Sequence, residues 1–200
     1  MATEHPDNAR FFQDVQSWLG VSIKTIHSTQ FTTVDDVFEK TRYMAGLSGA
    51  RCTSEMKKIP RFHFQRWDDI HVFGYTAEED SRIKRFEKNN PELSVDWMLR
   101  DAGLSKQDCK DHLLKAGIQL PVMYSLGYKN NNCLGCVKAS SPKYWNMVRR
   151  DFPEVFERRA KQSREIGARL TRQKINGKWV RIYLDELGID DNSPFKEDLS

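Results

Sequence analysis

Between Pro6 and Leu19 apolar side chains recur at Phe11, Phe12, Val15, Trp18 and Leu19. This is the spacing of one helical face, and Gly20 closes the run. Val21 to Ile26 alternates apolar with polar positions and predicts a strand. A second short helix is expected over Asp35 to Met44, with Val37, Phe38 and Tyr43 on its buried side. Helix, strand and helix in that order suggest a layered α/β domain. Arg51 to Lys58 reads as a helical turn stopped by Pro60, and Ile70 to Tyr75 as the best central strand. A charged helix follows over Ala77 to Asn89 with Ile83 and Phe86 inward, then a weaker strand near Leu93 to Met98. Ser105 caps a helix that runs to Ala116 and stops at Gly117. Pro142 to Leu170 is helical but interrupted by Pro153, which predicts two helices. Leu170 to Leu184 reads as two strands around Asn176-Gly177, a hairpin turn, and the acidic tail after Asp185 is expected to fray.

Composition narrows the class. The 200 residues are 38% hydrophobic and 30% charged, as in a soluble globular chain with a real core. No apolar run approaches the roughly 18–20 residues that span a bilayer, and no membrane partner is expected. The opening MATEHPDNARFF has neither a basic nor an apolar leader region, so a cytoplasmic location is expected. The pattern divides the chain into an α/β core over 1–128 and a cysteine, helical and hairpin region over 129–200. A net charge of +4 permits an anionic partner. DNA is one candidate, because Arg149, Arg150, Arg158, Arg159, Lys161, Arg164, Arg169 and Arg172 make the C-terminal helices basic; a solvated helix face reads the same way.

The sharpest chemistry lies in KNNNCLGCVK, residues 129–138, where Cys133 and Cys136 flank Leu134 and Gly135. Two thiolates at this spacing can grip one metal from a single turn. Gly and Asn there permit a left-handed backbone that aims amide groups at sulfur. With Cys52 and Cys109 they make a four-thiolate set suited to tetrahedral zinc or a cubane 4Fe–4S cluster; a two-cysteine site and plain core thiols are the alternatives. The segment Arg51 to Pro60 places Thr53 and Ser54 ahead of Lys57 and Lys58, as a phosphate or sulfate site would, or as a capped basic helix would. Gly74-Tyr75-Thr76 followed by Glu79, Arg82 and Arg85 is a second candidate anion site, or a strand end with a salt-bridged helix. The histidines show no ligand spacing, and no catalytic residue is singled out.

EHPDNARF, GARCTSEMKKIP, GYTAEEDSRI, GLSKQDC and LGYKNNNCLGCVKASSPKYWNMVRRDFPEVFE occur in that order. The set resembles the phosphoadenosine phosphosulfate reductase family of the adenine-nucleotide α-hydrolase-like (PP-loop ATP pyrophosphatase) superfamily, and within it the small phage and bacterial branch with an NNNCxGC motif. The resemblance implies a Rossmann-like parallel sheet that binds an adenine nucleotide or sulfonucleotide at the strand ends. It implies an iron–sulfur cluster on Cys52, Cys109, Cys133 and Cys136, and Lys57, Lys58 and Arg82, with Thr76, facing the phosphates. Sulfur-transfer or reductase-type chemistry follows from it, with a non-catalytic phage-type accessory protein on the same scaffold as the alternative. The chain departs from the pattern twice: it contains no SGGxDS phosphate loop, and its tail has no ECGxH-like cysteine. The first βαβ unit is therefore expected to be missing, through a shortened gene, a separate loop-bearing subunit or a repurposed scaffold. An open sheet edge would then favour a homodimer or a partner chain.

Overall fold

The computed structural model describes residues 4–46 and 49–191. In chain order its elements are α1 (Asp7–Leu19), α2 (Val34–Thr41), β1 (Ala45–Gly46), β2 (Gly49–Ala50) and α3 (Arg51–Thr53). A π-helical turn (Ser54–Lys58) leads into α4 (Ile59–Phe64), followed by β3 (Ile70–Val72) and a 3-10 turn (Ala77–Glu79). Then come α5 (Asp80–Asn89), β4 (Ser94–Asp96), α6 (Met98–Asp101), α7 (Lys106–Lys115) and α8 (Val122–Ser125). The chain closes with α9 (Pro142–Asp151), α10 (Pro153–Ile166), β5 (Thr171–Ile175), β6 (Lys178–Ile182) and a 3-10 turn at Leu184–Glu186. This is a mixed α/β protein. Among the described residues no helix is long and apolar enough to cross a membrane.

The described residues form two compact units, both discontinuous: residues 4–6, 25–46, 49–62 and 123–191 form one, and residues 7–24 and 63–122 the other. The first holds the larger core. Thr33 opens α2 with a capping box, its side chain accepting from the Asp36 amide at 3.1 Å, and Val34, Val37 and Phe38 are buried. Ser141 caps α9 and Pro142 occupies its first turn, which directs the wholly buried Trp145 and Val148 inward. Phe152, at φ −140, breaks the helix before Pro153 restarts it as α10. On α10, Phe156, Arg159, Ala160 and Ser163 recur at helical spacing and are all buried. The β5–β6 hairpin turns on Asn176 (φ 49) and Gly177 (φ 79), the positive angles a two-residue turn requires.

The second unit is built on a β3–α5–β4 crossover in which β3 and β4 are parallel, pairing Ile70 with Ser94, His71 with Val95 and Val72 with Asp96. Behind it Phe73, Tyr75, Phe86 and Trp97 form an aromatic cluster with centroid separations of 4.8 to 6.4 Å, and Ile83 is fully buried. Ser105 forms the expected capping box with Asp108 at the start of α7.

Four expectations change. Val21 to Ile26 is not a strand: among the described residues the segment has no ladder partner, Val21 is exposed, and the Ile23 amide donates to Gln16 Oε1 at 3.0 Å. Pro60 does not stop its helix. The π-helical turn bonds the Ile59 amide to the Ser54 carbonyl, and the ladder is already widened where Pro60 lacks a donor, so helix continues to Phe64. The paired length of the IHVFGY strand is only Ile70–Val72, although the Phe73 amide also reaches the Asp96 carbonyl at 3.3 Å. The acidic tail does not fray at once: Leu184 and Leu187 are buried, and Asp185 and Glu186 bind Arg164. Residues 192–200 lie outside the described residues.

Candidate metal centre

The loop that carries Cys133 and Cys136 is fixed from both sides of each thiol. Leu134 and Val137 are buried anchors, and Gly135 between them sits at φ +63. The left-handed conformation is thus supplied by Gly135. Among the described residues Asn130 to Asn132 do not adopt it. A Cβ at Gly135 would lie 2.8 Å from Val155 Cγ1 and 3.1 Å from Arg159 Cγ, because α10 packs directly on the loop. The Cys136 amide donates to the Tyr144 hydroxyl at 2.8 Å, so α9 holds the backbone of the second cysteine. Trp145, one residue on, donates from Nε1 to the Ala139 carbonyl at 2.9 Å and closes the segment.

Arg159 is the support beneath this loop. Its side chain is almost wholly buried, its Nε donates to the Gly135 carbonyl at 3.3 Å, and it bonds Asp35 and Gln162. Its guanidinium also lies 5.2 Å from the Phe38 ring centroid, and Arg158 reaches Asp35 at 3.3 Å. Burial pushes the Asp35 carboxyl up, but the hydrogen bond and charge of Arg159 and the charge of Arg158 outweigh it, and the net shift is downward. A carboxylate with a depressed folded value contributes stability above its unfolded value of about 3.9 and loses it as pH falls through the folded value. Acid unfolding followed by circular dichroism is therefore expected to lose part of its steepness below about pH 4 in Asp35→Asn.

Cys52, on α3, belongs to the same unit as Cys133 and Cys136, and the three thiols interact electrostatically. Burial pushes both the Cys52 and the Cys133 thiol up, and the neighbouring Cys136 adds to the rise. Lys138 opposes this at Cys52 and Lys57 at Cys133. Half-buried thiols with cationic neighbours fit a thiolate-held metal or cluster, whose positive charge would reverse the effect of burial. As placed, no group of three or more His, Cys, Asp or Glu among the described residues converges on one ion position. Cys109, on α7, lies in the second unit, where burial and Asp108 raise its thiol.

The expected anion-binding residues divide in the same way. Lys57 and Lys58 stand exposed on the π-helical turn that follows Cys52, a helix irregularity frequent at functional sites. Thr76 and Arg82 lie in the second unit, Thr76 capping the 3-10 turn and Arg82 on α5. Thr76 is buried, its amide donating to Glu79 Oε2 at 3.2 Å in a capping box. Arg82 pairs with Glu79 and lies 4.7 Å from the Tyr75 ring centroid. Both therefore have local partners.

Tyr144, Trp145, Asp35 and Lys138 were not singled out by the sequence, and Arg159 stood out only as part of the basic run on the C-terminal helices. The Ser141-Pro142 cap places Tyr144 at the start of a helix right after the cysteine loop, and that signal could have found it. No family model, curated protein or solved structure matches this chain.

Proposed function

We propose that this chain is a phosphoadenosine phosphosulfate reductase-like protein with a Rossmann-like core. In this reading an iron–sulfur cluster is held by Cys52, Cys133 and Cys136, and an adenine nucleotide or sulfonucleotide is bound by Lys57 and Lys58. The observation that carries this reading is the grouping of the three thiols in one unit, interacting with one another and with Lys57 and Lys138. The cluster would supply redox or sulfur-carrying chemistry. The chain's own residues supply the rest: Tyr144 and Arg159 position the loop, and the two lysines present positive charge to a phosphate or sulfate. Within the second unit, the parallel β3–α5–β4 crossover supports the α/β reading. Cys109 is the fourth thiolate expected from the sequence, and Cys109→Ser tests that assignment by metal content. The engagement of Thr76 and Arg82 by Glu79 favours a second reading, a non-catalytic protein on the same scaffold.

Equilibrium binding of phosphoadenosine phosphosulfate to the anaerobically purified chain separates the two. The account predicts saturable binding that Lys57→Ala and Lys58→Ala each weaken about tenfold, the worth of one charge-assisted contact. No saturable binding, or binding indifferent to both lysines, discards the nucleotide assignment and leaves the accessory reading.

A further inference from the structure

The arginines of the C-terminal helices are largely committed within the fold. Arg159 and Arg158 hold Asp35, Arg150 pairs with Asp151, and Arg164 pairs with Asp185 and Glu186. Arg149 donates to the Leu184 and Leu187 carbonyls at 3.3 and 2.9 Å. A separate concentration of positive charge lies on the β5–β6 hairpin. From Arg169 to Leu184 there are five basic residues and no acidic one, more positive charge than the +4 of the whole chain.

The register sorts these charges by face. Residues directly opposite share a face, and successive residues alternate. Thr171 opposite Ile182 is buried, which turns that face toward the core. Arg172 opposite Arg181, and Lys174 opposite Trp179, therefore form the other face. Arg181 also donates to the Arg169 carbonyl at 3.2 Å, which brings a further basic residue to the edge of the group. Trp179 is 40% exposed, so its indole stands beside the cations and remains accessible. The hairpin is not a loose arm: the Thr171 hydroxyl and the Arg172 amide both donate to the Ser140 carbonyl at 3.2 Å.

We propose that this face of the hairpin binds single-stranded nucleic acid, with Lys174 and Arg181 on phosphates and a base stacked on Trp179. Charge complementarity selects a polyanion. The indole selects a single strand, because a base can stack on an aromatic side chain only once it has left its own duplex stack.

The test is fluorescence anisotropy of the full chain with a labelled oligothymidylate of about 16 nucleotides, over a range of salt. Trp179→Ala is expected to weaken binding about tenfold and Trp179→Phe much less, because phenyl keeps a stacking face. Lys174→Gln and Arg181→Gln are each expected to lower the slope of log affinity against log salt by about 0.7. The substituted side chains are all on an exposed hairpin, and circular dichroism confirms that each variant is folded. Binding unchanged by these variants, no binding at low salt, or duplex bound as tightly as single strand would each overturn the assignment. Retention by anionic phospholipid vesicles without oligonucleotide binding would overturn it too and transfer the face to a lipid surface.

Discussion

Gly135→Ala is expected to lower the stability of the folded chain by about 3 kcal/mol. About 1–2 kcal/mol comes from forcing an L-residue to φ +63, and the rest from driving a methyl group to 2.8 Å from Val155 Cγ1. For a chain of this size that corresponds to a melting temperature lower by about 10 °C. Gly177→Ala is the control, since Gly177 has φ +79 but a methyl group there would meet nothing within 4 Å. It should lose only the backbone part, about 1 kcal/mol. Equal losses at the two positions would show that α10 does not press on the cysteine loop as described. If the proposed metal centre is present, the Gly135 substitution should also lower its metal content, because Gly135 separates the two cysteines and any shift in it moves both.

Arg159→Met has the second large effect. Removing the guanidinium leaves the Asp35 carboxylate with Arg158 and the Gln162 side chain, and leaves the Gly135 carbonyl without its donor. Breaking one side of a buried ion pair typically costs about 3–5 kcal/mol, much of it the charge left behind. Since Asp35 is partly accessible and keeps Arg158, the loss should fall at the low end, about 3 kcal/mol, read by urea unfolding. Asp35→Asn combined with Arg159→Met should recover part of that loss, because the stranded carboxylate is then gone. A double variant as unstable as the sum of the two singles would mean the pair is not coupled.

Much of the architecture was legible because it rests on local chemistry. The Ser105 cap, the Pro153 break and the Asn176-Gly177 turn each specify backbone geometry within a few residues. What failed depended on partners far along the chain. Val21 to Ile26 alternates as a strand does, but alternation cannot create a neighbouring strand to bond. Pro60 ends helices by a rule that assumes an ordinary i−4 ladder, and the π-helical turn suspends that assumption. In the candidate site, the paired cysteines and Lys57 were visible as types at a spacing. Arg159 was not, because Glu157-Arg158-Arg159-Ala160-Lys161 reads as a solvated charged face, and the carboxylate that balances the buried Arg159, Asp35, lies more than a hundred residues earlier. The two compact units were hidden for the same reason: each is assembled from separated stretches of chain.

The central claim is that the cysteine loop and Cys52 hold a metal centre. It is tested most directly by purifying the chain without oxygen and measuring iron, acid-labile sulfide and zinc per chain, with an absorbance spectrum. The account predicts about four irons with matching sulfide and a broad band near ~400 nm, lost in Cys133→Ser and in Cys136→Ser. Stoichiometric zinc would keep the thiol site but make it structural and favour the accessory reading. A folded chain with neither iron nor zinc would contradict the account.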